Sequence, residues 1–411
     1  MRQMEDALRY WVWLSQCFPY GSDKPCELLE KGATPEELFQ KGREFRASLG
    51  VLQPRELKRM DAVSLDAADL ILEKCREENL WILTLEDELY PESLRHIYGA
   101  PLVLYGKGRK EALSGSPCLT VVGTRKCSEY AKSAAANISC RLSKGGITIV
   151  SGCAVGIDEY AHRGAVKAGG CSIGVMGCGL DVDYPAPNRE LKEYMLLRGG
   201  ALISEFPPGT QPFRKNFPIR NRILAALSDG GFVVQAPERS GSLITAELAV
   251  EQGKTVFCLP PCNIFDPLYI GVVPYLRDGA KAVYSAEDIL EEYEAQWGDK
   301  INRKAAMGKL VSRGEQAKTA SDPLIQLESR TDVIPKVAEK PHYQVSKETR
   351  PAEPVPEELQ EIYRLLTKEP RPMDGIIRES GKKPQEVLAA LTELELMGLI
   401  RAYPGRRYGQ A

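Results

Sequence analysis

The pattern of apolar and polar residues changes along the chain and divides it into four parts. In the first part, apolar residues between Met4 and Trp11 recur at the three- and four-residue spacing of an amphipathic helix. This part also contains predicted helices at 35–40, 54–60 and 65–77 and a predicted strand at 81–84. We therefore expect an N-terminal helical domain over residues 1–105, followed by a glycine- and lysine-rich hinge at 106–110.

In the second part, short β-branched runs alternate with helical segments. The predicted strands are 119–122, 147–150, 172–176, 201–204, 232–235, 255–258 and 282–284. The predicted helices are 128–143, 157–168, 188–198, 221–227 and 243–252. Such alternation is typical of a parallel sheet with helices on both faces. The sequence therefore predicts an α/β fold, with a Rossmann-like domain over residues 106–293 that binds its ligand at the carboxyl ends of the strands.

The stretch from Gly146 to Asp158 combines a strand, a turn and the start of a helix. Its turn contains Ser151, Gly152 and Gly156, which offer one hydroxyl group and let the backbone approach a ligand closely. Because a helix N-terminus presents free N–H groups and a positive dipole, we interpret this stretch as a phosphate-binding site. The alternative is a tight turn that binds nothing.

Two further loops repeat this arrangement of glycine and hydroxyl groups. The first loop consists of Gly123, Thr124 and Arg125, and its arginine can contact a phosphate through two hydrogen bonds. The second loop places a glycine and three hydroxyl groups ahead of a helix: Ser240, Gly241, Ser242 and Thr245. These hydroxyl groups are either phosphate ligands or simple helix caps.

The segment from 214 to 222 concentrates positive charge beside an aromatic ring. Its candidate DNA-binding residues are Arg214, Lys215, Phe217, Arg220, Asn221 and Arg222. Single-stranded nucleic acids are bound by cationic groups that neutralise phosphates and by aromatic rings that stack on bases. The alternative is a solvated basic helix end with Phe217 in the core.

The last two parts differ from the core. Residues 294–355 are rich in charged, polar and proline residues without apolar periodicity, which predicts a flexible linker. In residues 356–411, three helical segments precede a basic turn at 404–407, which predicts a winged helix. Its third helix contains Glu386, Glu393 and Glu395, and acidic groups repel phosphates. Binding of DNA and binding of protein are therefore both open for this domain.

Composition narrows the function classes. The 411 residues are 43% hydrophobic and 27% charged with a net charge of −2, so a nucleic-acid surface has to be a local basic patch. The eleven cysteines include no Cys-x-x-Cys pair and there are three histidines, so we expect reduced structural thiols and neither a metal nor a cofactor. No signal peptide or membrane span is predicted, and we expect a cytoplasmic protein.

Six motifs that follow one another in order resemble those of the DNA-processing protein A family, DprA/Smf. They are Gly123-Thr-Arg125; Ser151-Gly152 with Ala154, Gly156-Ile-Asp158 and His162; Gly179-Leu-Asp181 with Tyr184-Pro185; Ser204-Glu205; Phe217-Pro218 with Arg220-Asn-Arg222; and Ser240-Gly-Ser-Leu243 with Thr245-Ala246. The resemblance covers residues 81–290 closely and the termini loosely. The sequence departs from the family pattern at Pro261 and Val273, so we transfer no DNA contact to the loop from Pro261 to Gly271.

The resemblance implies an extended Rossmann core that binds single-stranded DNA without sequence preference. It also implies a homodimer and the loading of the RecA recombinase onto DNA during natural transformation and recombination. The N-terminal domain would be of the sterile-alpha-motif type, and the C-terminal domain a winged helix. No catalytic activity is associated with the family.

Two other functions are alternatives to the binding of single-stranded DNA. The first alternative is a phosphoribohydrolase of the cytokinin-activating type, which has a related Rossmann fold. Those enzymes use a Pro-Gly-Gly-x-Gly-Thr loop followed by glutamates. The comparable loop here runs from Arg239 to Thr245 with a single glycine, and Glu247 follows it. A winged-helix regulator with the core as nucleotide sensor is the other alternative, and the acidic third helix argues against it.

Overall fold

The computed structural model describes residues 2–308, 357–367, 371–382, 386–387, 390–391, 394, 399–403 and 407–410. The chain forms two compact units, Met1–Ala320 and Ser321–Ala411, and each is described by itself.

Six helices form the N-terminal part of the first unit. They are α1 (Arg2–Cys17), α2 (Lys24–Glu30), α3 (Pro35–Gln40), α4 (Gly42–Ser48), α5 (Pro54–Ala62) and α6 (Leu65–Glu77). The helix α1 contacts α3 and α6 around a buried cluster that includes Trp13, Leu28 and Leu72. Thr34 and Ser64 fix the starts of α3 and α6, because their side-chain oxygens accept hydrogen bonds from backbone N–H groups of the first turn.

A nine-stranded sheet forms the centre of this unit. Its strands are β1 (Trp81–Thr84), β2 (Val103–Gly108), β3 (Cys118–Val122), β4 (Thr148–Ser151), β5 (Ser172–Val175), β6 (Ala201–Ser204), β7 (Gly230–Val233), β8 (Thr255–Cys258) and β9 (Lys281–Ala282). In space they follow the order β1-β2-β6-β5-β4-β3-β7-β8-β9. The seven strands β6, β5, β4, β3, β7, β8 and β9 pair with one another in parallel, whereas β2 is antiparallel to both β6 and β1. The predicted α/β fold is confirmed.

The helices that accompany the sheet cover its buried strands. They are α7 (Glu92–Arg95), α8 (Glu129–Lys144), α9 (Ile157–Lys167), α10 (Arg189–Leu197), α11 (Asn216–Leu227), α12 (Gly241–Glu251), α13 (Val272–Arg277), α14 (Glu287–Trp297) and α15 (Arg303–Met307). From β3 the chain proceeds to β4, β5 and β6 on one side, and it then returns to β7 on the other side of β3. The switch point of the sheet therefore lies between β3 and β7, which is where parallel α/β sheets bind ligands.

Two predicted boundaries differ from the structure. Residues 106–110 do not form a hinge, because Gly106 pairs with Ile203 and β2 continues to Gly108. The sequence did not reveal this pairing because the two strands are about a hundred residues apart and pair only in the fold. The chain also continues as helix after residue 293, and Ala306 of α15 is fully buried against the core. The remainder of the predicted linker, 309–355, lies outside the described residues.

The second unit contains two described helices and a three-stranded sheet. The helices are α16 (Glu357–Arg364) and α17 (Met373–Ser380), and the strands are β10 (Arg371–Pro372), β11 (Ile400–Tyr403) and β12 (Arg407–Gln410), in the order β10-β12-β11. A buried cluster that includes Leu359, Ile376 and Leu391 joins these elements. The predicted third helix is described only in part, and Glu393, Glu395 and residues 404–406 lie outside the described residues. No described helix is both long and apolar enough to cross a membrane.

Candidate nucleic-acid interface

A cleft of about 390 Å³ opens at the carboxyl edge of the sheet, at the switch point between β3 and β7. It brings together many of the predicted site residues: Gly123, Thr124, Arg125, Phe217, Arg220, Asn221, Ser240, Gly241, Ser242 and Thr245. Asp158 and the exposed Arg239, which we did not include among the predicted site residues, also line it. Arg239 stands directly before the Ser-Gly-Ser motif, so its charge and position were the signal that could have identified it.

The loops after β3 and β7 are joined by Gln235, which no sequence motif singles out. The Thr124 N–H group donates to the Gln235 carbonyl over 2.7 Å. The buried amide of Gln235 also binds Ser128, accepting from its N–H group over 2.8 Å and contacting its hydroxyl oxygen at 3.1 Å. The backbone beneath the exposed Arg125 is therefore held in place on both sides of the switch point.

The turn after β4 is satisfied from within the protein. The buried Ser151 hydroxyl donates to the Val121 carbonyl over 2.5 Å. The Gly152 and Ala154 N–H groups donate to the Asp158 carboxylate over 3.1 and 3.3 Å. The Ser151 hydroxyl and the Gly152 N–H group, which we predicted to bind a phosphate, thus both have partners within the protein.

Asp158 and Arg220 lie close to each other beside Gly152, in the lining of the cleft. A Cβ atom at Gly152 would lie 2.5 Å from Arg220 Nη2 and 2.8 Å from Asp158 Oδ2, so only glycine permits this arrangement. Burial raises the pKa of Asp158 to about 6, and the positive charge of Arg220 acts in the opposite direction. The Arg220 guanidinium donates to the Gly152 and Val175 carbonyls and is 5% exposed. Arg220, which we predicted to bind DNA, is therefore a buried cation in the lining of the cleft with hydrogen-bond partners inside the protein.

Two other predicted ligands also have structural roles. Gly156 has a φ of 89°, and a Cβ atom there would lie 2.6 Å from the Thr124 carbonyl oxygen, so this glycine lets α9 pack against the first loop. Arg222 is 8% exposed, forms a 2.6 Å ion pair with Glu205 and donates to the Gly99 carbonyl over 2.7 Å. The prediction of a phosphate contact for Arg222 is wrong, because its guanidinium is buried against other parts of the protein. Asn221 lines the cleft and donates to the Gly241 carbonyl over 3.1 Å.

Phe217 forms an aromatic wall of the cleft. Its half-buried ring lies against Gly177, and its centroid is 5.7 Å from that of Tyr184. The Arg125 guanidinium lies over the same ring at 5.4 Å. Arg214 and Lys215 are exposed and directly precede α11. The expectation that Arg125 and the basic segment meet at one edge of the sheet therefore agrees with the structure.

A buried cysteine and histidine near the cleft have the wrong ionisation for nucleophilic catalysis. Cys153 Sγ lies 3.4 Å from His162 Nε2, and His162 Nδ1 lies 2.7 Å from the Ser172 hydroxyl. Burial lowers the pKa of His162 to about 3 and raises the pKa of Cys153 to about 12. A thiolate and an imidazolium are thus both disfavoured. In the described part of the chain, no group of three or more His, Cys, Asp or Glu residues is placed to hold a metal ion.

A parallel sheet with a cationic cleft at its switch point defines a Rossmann-like ligand-binding protein, and the second unit adds a small helical and β-stranded domain. The chain belongs to the DNA recombination-mediator protein A family, whose model matches residues 81–294. The model of the DprA winged helix domain matches residues 346–406. The predicted family and the predicted winged helix are both confirmed.

Individual relatives agree with this assignment. The DNA processing protein DprA of Bacillus subtilis is 41% identical over 222 residues, which cover 54% of this chain and 74% of that protein. The protein Smf of Synechocystis is 34% identical over 343 residues, which cover 82% of each chain. The crystal structure of DNA processing protein A from Streptococcus pneumoniae matches with a TM-score of 0.60 and 34% identity, over 69% of this chain and 97% of that one.

Removing the Asp158 carboxylate should destabilise the whole core. Asp158→Ala leaves the Arg220 charge buried without compensation and the amide groups of the β4 turn without an acceptor, so we expect the free energy of unfolding to fall by about 3–5 kcal/mol. Denaturant unfolding followed by circular dichroism measures it. The control is Asp278→Ala, an exposed carboxylate after α13, which should change stability by less than about 0.5 kcal/mol. Equal stability of the two variants would contradict a structural role for Asp158.

Proposed function

We propose that the protein binds single-stranded DNA without sequence preference at this cleft. The observation that carries the proposal is the half-buried Phe217 ring beneath the Arg125 guanidinium, at the switch point of a parallel sheet. A ring stacks on any base, and exposed cations neutralise any phosphate. Arg214, Lys215 and Arg239 add exposed positive charge beside or within the cleft. This combination favours affinity for a strand over recognition of a sequence.

The biological role that we propose is mediation of recombination without catalysis. Membership in the DNA recombination-mediator protein A family supports the loading of the RecA recombinase onto single-stranded DNA during natural transformation and recombination. We further propose that the protein acts as a homodimer in the cytoplasm. The ionisation of Cys153 and His162 speaks against nucleophilic catalysis. The loop from Arg239 to Thr245, which lacks the glycines of the phosphoribohydrolases, speaks against nucleotide hydrolysis.

The preference for single strands can be tested directly. We expect the protein to bind oligo-dT more tightly than a duplex of the same length, because stacking on Phe217 requires an unpaired base. Fluorescence anisotropy with labelled oligonucleotides at two salt concentrations measures both affinities. Affinity for the duplex that equals or exceeds that for oligo-dT would reject the proposed function.

Arg125 should contribute electrostatically and independently of sequence. If its guanidinium neutralises one phosphate, Arg125→Ala should weaken binding to every oligonucleotide alike and reduce the slope of log affinity against log salt by about 0.7. A salt titration of wild type and variant measures the slope. Arg55→Ala removes an exposed arginine on α5 and should leave the slope unchanged. A wild-type slope for Arg125→Ala would show that this side chain contacts no phosphate.

Phe217 should contribute by stacking and not by charge. Phe217→Ala should cost about 1–3 kcal/mol of binding free energy with an unchanged salt slope, because a ring releases no counterion. Phe217→Leu retains most of the packing against Gly177 and separates stacking from stability, so it should show a comparable loss while melting close to wild type. Tyr98→Ala, which removes an exposed ring that does not line the cleft, is the control. Wild-type affinity of a folded Phe217→Leu variant would argue against stacking.

A further inference from the structure

The first turn of α12, a helix of eleven residues, contributes to the lining of the cleft. The Ser240 hydroxyl caps this helix, accepting from the Ser242 N–H group at 3.4 Å and lying 2.7 Å from the Ser242 hydroxyl. A Cβ atom at Gly241 would meet open space, so the backbone of this turn borders the cleft. The Leu243 N–H group also donates to the Ser240 carbonyl, over 3.1 Å, so this turn favours an anion chiefly through the positive end of the helix dipole.

Thr245 supplies an independent observation in the same place. Its side chain lines the cleft and is 2% exposed, and its hydroxyl has no hydrogen-bond partner among the residues that the structure describes. A buried hydroxyl group without a partner is costly, and such groups are normally satisfied in folded proteins. A bound ligand that accepts a hydrogen bond from Thr245 would remove this cost.

Other residues that line the cleft are apolar or cationic. Phe217 and Pro218 are among them, and the Arg125 guanidinium lies over the Phe217 ring. The cleft volume of about 390 Å³ falls within the range of small-ligand sites, and its lining residues offer two kinds of chemistry. An aromatic wall favours a base, and a helix N-terminus with a free hydroxyl group favours a phosphate.

We propose that the cleft is a self-contained site for one nucleoside monophosphate, with the phosphate on the first turn of α12 and on the Thr245 hydroxyl. The proposal rests on the proposed function, because the same cleft would hold one nucleotide unit of the DNA strand. It goes further in one respect: a free nucleoside monophosphate binds there without the rest of the strand and competes with DNA.

Competition distinguishes this proposal from the proposed function. Labelled oligo-dT is bound to the full-length protein and displaced with dTMP, thymidine or inorganic phosphate at constant ionic strength. We expect dTMP to displace the oligonucleotide at a concentration at least about tenfold lower than either thymidine or phosphate. Tight binding of oligo-dT that dTMP does not displace would overturn the proposal and leave the proposed function intact. Failure of oligo-dT to bind, with dTMP binding in calorimetry, would reject the proposed function and retain the site.

The role of Thr245 is tested by exchanging its hydroxyl for a methyl group. Thr245→Val should weaken dTMP binding by about tenfold without lowering the melting temperature, because the hydroxyl is unpaired in the free protein. Thr245→Ser retains the hydroxyl and should bind dTMP like wild type. Thr255→Val is the matched control. Thr255 is the first residue of β8 and lies at the amino ends of the strands, whereas the cleft lies at their carboxyl ends. Wild-type affinity of Thr245→Val for dTMP would overturn the assignment of this hydroxyl.

Discussion

The arrangement of the cleft depends on two opposite charges buried on either side of Gly152. The Asp158 carboxylate accepts the N–H groups of the β4 turn, and the Arg220 guanidinium donates to carbonyls of that turn and of β5. Each charge makes the burial of the other tolerable, and the loss of either would leave an uncompensated charge in the core. Since Arg220 lies on α11, this contact also fixes the helix that carries Phe217 to the edge of the sheet.

The basic segment at 214–222 contains exposed and buried cationic side chains. Arg214 and Lys215 precede the helix and are exposed, whereas Arg220 and Arg222 lie within it and are buried. The buried arginines are held by carbonyl oxygens and, for Arg222, by Glu205, so their positions are fixed whether or not a ligand is present. Exposed cations can follow a flexible DNA backbone, and their effect is screened by salt. We therefore attribute the shape of the cleft to the buried arginines. The attraction of the cleft for DNA we attribute to the exposed cations.

Most of the core could be predicted from the sequence because its signals are local. Helix α6 and strand β8, for example, span the same residues that periodicity and β-branched runs indicate. The grouping of Arg125 with the segment around Phe217 was also accessible, because the carboxyl ends of parallel strands share one edge. The addition of β1 and β2 to the sheet could not be predicted from the sequence, because the antiparallel pairing of β2 with β6 is a long-range contact. The burial of Arg222 could not be predicted from the sequence either. An arginine is expected to be exposed to solvent unless a buried partner is known, and the partner Glu205 is identified only in the fold.

The three loops that share glycine and hydroxyl groups show why a motif alone does not identify a ligand site. The turn after β4 has its N–H groups occupied by Asp158, six residues beyond Gly152 on the same turn and helix. The turn before α12 has the same sequence character, but in the described structure the hydroxyl of Thr245, in the helix that follows it, has no partner. An internal carboxylate satisfies the first turn, and an external anion would satisfy the second. Which of two similar turns is available to a ligand is therefore decided by the side chain that follows the glycines, and not by the glycines themselves.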